Sequence, residues 1–535
     1  MSSSNIGKRM AGKEISRRTF LIGASTLGAA AAAGNLLGCE TTGGNRQNDP
    51  ASAPGTWKPS RVNKVYDTDI LIVGAGGSGL ACAVQSALNG ARLIVIEKGD
   101  FPGGNANFVE GMFAIGSRFQ KEKGIDIKPV EIINAELNRG QYRANGALWM
   151  ELCIKSAGNI DWLLEQGILY SGVIDDYYGG LYPTFHWFKN AAGAVGYVEP
   201  MVKRLEDLGT PLHLGTAAKS LITQGGRVSG VYAQGPEGVV QYNAKAVIFA
   251  TGSFGGNPEL IKQQGWDITG LSLAGSRNAS GDAYMMARAI GAKDFMPQTA
   301  QSIIYHIEAF PFMTLENASN PINGYFGPAS GGPVLWINED CDRYANEAIR
   351  TENLVLQCIP GKDNKANYCI FDQNIYDTYF GTTDAARTMF ETALAENKGN
   401  CLYKENSPEA LARHFNLDPA ALQVSLDRYN ALCAGGNDED YGKSREFLVE
   451  IAKPPYYIAQ LRYSFYFAVG GITTNKYRQV LDDNRNIIPG LYAIGLDGHM
   501  MYRNVYTINM PGTAFGNQVN SGRIAANHAL SYIRS

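Results

Sequence analysis

Residues Asp69–Lys98 read DILIVGAGGSGLACAVQSALNGARLIVIEK. The apolar, β-branched run Ile70–Val73 predicts a buried strand, and Gly74-Ala75-Gly76-Gly77-Ser78-Gly79 follows it as a turn. Leu80 to Leu88, rich in small residues, predicts a helix, and Leu93–Ile96 a second strand that ends in Glu97. Gly74 permits the tight turn. Gly76 lets a pyrophosphate reach the backbone at the positive end of the helix, and Gly79 lets helix and strand pack closely. Glu97 lies 18 residues past Gly79, where a carboxylate accepts hydrogen bonds from a ribose diol. A lone GxGxxG is only a glycine-rich turn. Strand, helix, second strand and terminal acid together predict a site for an adenosine-diphosphate moiety, with FAD and NAD both still open.

The next segment runs Lys98-Gly99-Asp100-Phe101-Pro102-Gly103-Gly104-Asn105-Ala106-Asn107, then Gly111-Met112-Phe113-Ala114-Ile115-Gly116. Much later Ala246–Asn257 (AVIFATGSFGGN) runs another buried strand into a glycine turn, and near the end come Ile488–Gly495 (IPGLYAIG) and Pro511–Gly516 (PGTAFG). In this order the pieces resemble the fumarate reductase and succinate dehydrogenase flavoprotein superfamily. Urocanate reductases, 3-ketosteroid dehydrogenases and secreted ene-reductases also belong to it. The resemblance covers roughly residues 67 to 535 and implies non-covalently bound FAD. It carries cofactor binding onto Gly74, Gly76, Gly79, Glu97, Lys98, Gly104, Asn105, Ala250, Thr251, Gly252, Asp282, Gly495, Thr513 and Ala514. It implies a doubly wound, Rossmann-like α/β FAD-binding domain assembled from both ends of the chain, residues 67–293 and 468–535. Between them, residues 294–467 form an inserted α+β clamp domain that closes over the substrate. Fold alone does not name a substrate.

In such flavoproteins N5 of FAD gives or takes a hydride at one carbon while a side chain handles the proton at its neighbour. The resemblance assigns that proton to an arginine downstream of an R-F-x-N-E motif, here Arg343-Tyr344-Ala345-Asn346-Glu347, which points to Arg350, one residue short of the usual spacing. The departures say more about the substrate. Phe467, before Ala468-Val469-Gly470-Gly471, stands where fumarate reductases have a carboxylate-binding histidine, and Asn509 stands where they have an arginine. Gly327-Pro328-Ala329-Ser330-Gly331 replaces the acidic and basic residues of the family's proton path. Losing the two anchors removes charge-assisted contacts worth ~1.5–3 kcal/mol each. The expected substrate is therefore larger and less charged, cyclic or aryl-bearing, with an activated C=C bond. Tyr466 or Phe467 would stack on its ring, and Arg503 or Tyr506 would supply the lost anchor or the proton. Arg350, Tyr466 and Arg503 are the catalytic candidates of an exported FAD-dependent reductase. A 3-ketosteroid-type dehydrogenase and a fumarate- or urocanate-type reductase are the alternative enzymes, and a non-enzymatic flavin carrier is the alternative of another class.

Ser16-Arg17-Arg18-Thr19-Phe20-Leu21, followed by a small-residue apolar stretch to Leu37, has the pattern of a twin-arginine export signal over residues 1–39. Leu36-Leu37-Gly38-Cys39 looks like a lipobox, so Cys39 is a candidate lipid anchor at the outer face of the membrane, with the periplasm as the other destination. Residues 40–66 read as a flexible linker. The whole chain carries a net charge of −3, and the basic leader leaves about −7 on the remainder, which argues against nucleic acid. The eight cysteines form no CxxC or CxxCH pair and the six histidines show no ligand spacing, so neither haem attachment nor a metal site is expected. Without a second redox motif, electrons are expected from an external donor such as a membrane-linked cytochrome.

Overall fold

The computed structural model describes residues 56–177, 179–310, 332–348 and 358–535. The signal, Cys39, the Gly327–Gly331 segment and Arg350 lie outside them. In chain order the elements that build the site are β1 (Lys64–Val73), α1 (Gly77–Leu88), β2 (Leu93–Ile96), α2 (Pro129–Arg139), β3 (Gly238–Phe249), β4 (Tyr456–Val469), β5 (Ile487–Ala493) and α3 (Thr513–Arg534).

β1 is an inner strand of an eight-stranded sheet, paired in parallel with β2 on one side and β3 on the other. β5, from the far end of the chain, adds in parallel to β3, so both ends of the sequence share one sheet. Ile70, Leu71 and Ile72 have no exposed surface, which is why this strand reads as an apolar run rather than an alternating one. Helix α3 packs on α1 so closely that a Cβ at Gly522 would lie 2.7 Å from the Ser78 carbonyl oxygen. The parallel sheet with helices is the mixed α/β architecture the motif order implied.

A second, six-stranded sheet is organised around β4, which pairs with the strands Ser272–Leu273, Ala300–Ile307, Asn367–Asp372 and Leu402–Glu405. Its far end leads into Gly470-Gly471 and back toward the first sheet. The Arg343–Glu347 motif belongs to the core of this second unit. The Arg343 guanidinium grips Glu347 at 2.8 Å and Asp438 at 2.7 Å, and Lys443 reaches Glu347 at 3.3 Å. Burial works to raise the Asp438 carboxyl, but Arg343 and the backbone N–H groups of Lys443 and Tyr441 outweigh it and hold the group at about 2. Tyr344 stacks over Trp336 and meets the Tyr305 hydroxyl at 3.4 Å, inside the same core. Arg343→Met should thus cost about 3 kcal/mol, because it takes the guanidinium from two buried carboxylates and leaves them only Lys443 and backbone N–H groups. A melting curve within error of the parent would show that the clasp is not holding the unit.

Candidate active site

The parallel strands end on one side of the sheet, and a long cleft opens there. Gly74 leaves β1 at φ +109°, and a Cβ on it would lie 2.3 Å from the Ala250 carbonyl oxygen. A Cβ on Gly79 would lie 1.9 Å from the Gly74 carbonyl oxygen, so α1 sits directly against the turn. Gly76, the N-cap of α1, is different: its Cβ would meet only the Gly103 carbonyl oxygen, at 3.6 Å. The space over the first turn of α1 is open, with unpaired N–H groups aimed into it, which is the cradle a pyrophosphate needs.

Glu97 stands at one end of the cleft, its carboxylate accepting from the N–H groups of Ala75 and Gly99, both at 2.8 Å. Lys98 reaches across to Asp282 and the Ser280 hydroxyl, each at 2.7 Å, and straps β2 to the helix that begins at Asp282. At the other end the Asn105 carboxamide oxygen accepts from Ser276 N at 2.6 Å while its amide donates to the Tyr466 carbonyl at 3.4 Å. Gly74, Gly76, Glu97, Lys98, Gly104, Asn105, Ala250, Thr251, Gly252 and Asp282 all line this one cleft. Gly79 stands behind Gly74, and Gly495 packs on Ser78, where a Cβ would be 2.3 Å from its hydroxyl. Thr513 and Ala514 open α3 and are buried outside the cleft wall.

Thr216, Ser276, Asn278 and Gln518 also line the cleft, without a local motif to announce them. Asp497 escaped notice for the same reason. Fully buried, it accepts from Ser253 N at 2.8 Å and from the N–H and hydroxyl of Thr251, fixing the turn after β3. Burial pushes its carboxyl up to about 6 in spite of those hydrogen bonds.

Next to Asn105, outside the residues that line the cleft, the end of β4 begins an aromatic group. The Phe467 ring meets Tyr506 edge-on at 5.5 Å, and Tyr506 meets Tyr502 at 4.9 Å. Phe467 and Tyr466 are partly exposed at the end of β4, and dense surroundings raise the Tyr466 phenol. Asn509 is wholly buried: its carboxamide oxygen accepts from Arg139 Nε at 3.3 Å, and its amide nitrogen has no hydrogen-bond partner among the described residues. Arg503 does not line this cleft. It projects into a separate groove of about 350 Å³, with Lys293, Lys476 and Arg485. The loop that carries it is pinned outward by hydrogen bonds from Asn504 to Gln298 and Pro297.

Residues 69–507 match a protein family described as FAD binding domain. The chain is 30% identical to the vinyl phenol reductase of Lactiplantibacillus plantarum, over 87% of this chain and 96% of that one. It is 28% identical to the urocanate reductase of Eggerthella lenta, over 82% and 71%. The open conformation of a flavocytochrome c3 fumarate reductase superposes with a TM-score of 0.63 at 22% identity, covering 89% of this chain and 79% of that one, a likeness of fold.

Proposed function

Since the chain belongs to the FAD binding domain family and is an FAD-dependent oxidoreductase acting on carbon–carbon double bonds, we propose that it reduces an activated C=C bond in a ring-bearing, weakly charged substrate. The observation that carries this reading is the aromatic wall of Phe467, Tyr506 and Tyr502, with a neutral Asn509 where fumarate reductases keep a cation. The likeness to a vinyl phenol reductase over nearly the whole length of both chains supports it. FAD, when bound, supplies hydride chemistry at N5. The residues of the chain do the rest. The α1 turn at Gly74, Gly76 and Gly79 seats the pyrophosphate, and Glu97 the ribose. Lys98 and Asp282 close the cleft beside them. Asn105 ties the flavin end to β4, whose Tyr466 or Phe467 faces the ring of the substrate. Tyr506 gives the proton in this reading, and Arg350, to which the motif points, is the alternative donor.

Anaerobic turnover with reduced viologen, against vinyl phenols, enones, steroids and unsaturated acids, tests the reading. Neutral aryl alkenes or enones should react fastest; a fastest rate with a dicarboxylate would overturn it. The bound flavin should leave completely on acid precipitation.

Electrons come, in this proposal, from an external donor such as a membrane-linked cytochrome, outside the membrane, after export through the twin-arginine route. The support is the Ser16–Leu37 pattern. Replacing Arg17 and Arg18 together by lysine should leave the precursor in the cytoplasm; unaltered export of the double variant would refute the route. Cys39→Ala separately reads the lipid anchor through membrane association.

A further inference from the structure

A buried carboxyl sits directly behind the aromatic wall. Glu136, on α2, is 1% exposed, and Oε2 accepts from the Thr507 hydroxyl at 2.6 Å. Its other oxygen, the Asn509 amide nitrogen and the Tyr502 hydroxyl are all buried without a hydrogen-bond partner among the described residues. Such orphans are rare in folded proteins, and three in one cluster leave an ionised carboxylate poorly solvated.

The groups facing it are Thr507 and Asn509, Tyr502 and Tyr506 from the same loop, Arg139 one turn along α2, and the Cys153 thiol. Burial pushes Glu136 up to about 7, with Thr507, Asn509 and Arg139 pulling the other way. The Tyr502 ring meets Tyr506, which meets Phe467. Arg139 is exposed and bonds Asn509, so the cluster reaches solvent.

We propose that Glu136 stores the proton used in double-bond reduction and, from behind the Tyr502–Tyr506 ring pair, returns it to the Tyr506 phenol beside Phe467. This rests on the reading of the site as a C=C reductase. For each substrate, one hydride goes to one alkene carbon and the Tyr506 O–H proton to its neighbour, so the π bond is replaced by two C–H bonds. The electron pair is the one reduced FAD supplies, replenished by the external donor. The phenolate left behind takes the Glu136 proton, and the carboxylate regains one from solvent at the Arg139 edge. Tyr506 is the catalytic group here, and Glu136 a positioning and relay residue.

Two measurements on the flavin-loaded protein test it. The first needs no substrate. A carboxyl with a raised folded pKa makes the folded state bind the extra proton, so the parent loses stability as pH rises from the ordinary glutamate range, ~4.3, through about 7. Glu136→Gln removes that slope, so its melting temperature should rise relative to the parent between pH 5 and pH 8. Parallel curves would overturn the proton store.

The second is single-turnover oxidation of reduced flavin by 4-vinylphenol. Glu136→Gln should slow it by about 10²-fold at pH 7, as loss of a general acid path does, with flavin reduction by viologen and flavin content unchanged. The limb of the pH–rate profile near 7 should vanish, and Glu136→Asp should restore part of it. A variant that keeps both rate and limb would overturn the relay. A parent that never oxidises its flavin with any alkene would instead overturn the reductase reading. If the glutamine variant does not fold, Thr507→Val, which leaves the carboxyl in place but removes the hydroxyl that bonds it, should keep or steepen the stability slope while slowing single turnover; a flattened slope or an unchanged rate would overturn the proposal.

Discussion

Gly76→Val is expected to fold normally and fail to hold FAD, whereas Gly79→Val is expected to lose the turn itself. The two glycines lie three residues apart in one motif, yet their surroundings differ. At Gly76 the backbone is extended, with φ −80°, and an added Cβ meets nothing nearer than 3.6 Å. The open space that a valine side chain would fill is the pyrophosphate's place in this motif. At Gly79 the Cβ would fall 1.9 Å from a backbone carbonyl oxygen and 3.3 Å from the Ala250 Cβ. A carbonyl held between strand and helix cannot swing aside as a flexible side chain can, and the cost should exceed the ~1–3 kcal/mol of ordinary overpacking. Gly76→Val should therefore purify colourless, with circular dichroism and melting like the flavin-stripped parent. Gly79→Val should be poorly soluble. A yellow Gly76→Val protein would mean that the phosphates lie elsewhere.

This contrast also shows what kind of information the sequence carried. The β1–α1–β2 turn was legible because every requirement on it is local: glycines at fixed offsets, an apolar strand on each side and an acid at the end. The joining of β5 to β3 was legible from the order of buried runs and glycine turns. What escaped depends on partners far along the chain. Asp497 reaches back to Thr251 and Ser253, and nothing near it distinguishes it from a surface acid. Arg343 and Glu347 read as part of the motif that precedes the proton donor, but Asp438, 95 residues beyond Arg343, turns them into a buried clasp. Glu136 carries no motif at all; its interest comes from Thr507 and Asn509, which meet it only in three dimensions. Arg503 was singled out by nearness in sequence to Asn509, and the outward pinning of Asn504 carries it into another groove.

Fumarate should be a poor substrate, with kcat/KM at least about 10²-fold below that of a neutral aryl alkene. Two charge-assisted contacts worth ~1.5–3 kcal/mol each are missing at Phe467 and Asn509, and 1.4 kcal/mol is tenfold. The environment adds to the deficit rather than repairing it. A dicarboxylate would sit against the Phe467 and Tyr506 rings, with Glu136 behind them titrating near neutrality and repelling it once ionised. The cation nearest to making good the loss is Arg139, whose guanidinium already reaches the Asn509 side chain at 3.3 Å. If it served as a carboxylate anchor, fumarate reduction would be fast, with a micromolar KM that Arg139→Ala would abolish. That outcome would overturn the prediction. If Arg139 instead only orients Asn509, Arg139→Ala should alter turnover of a vinyl phenol by no more than several-fold and leave fumarate as slow as before, because no anion was ever held there.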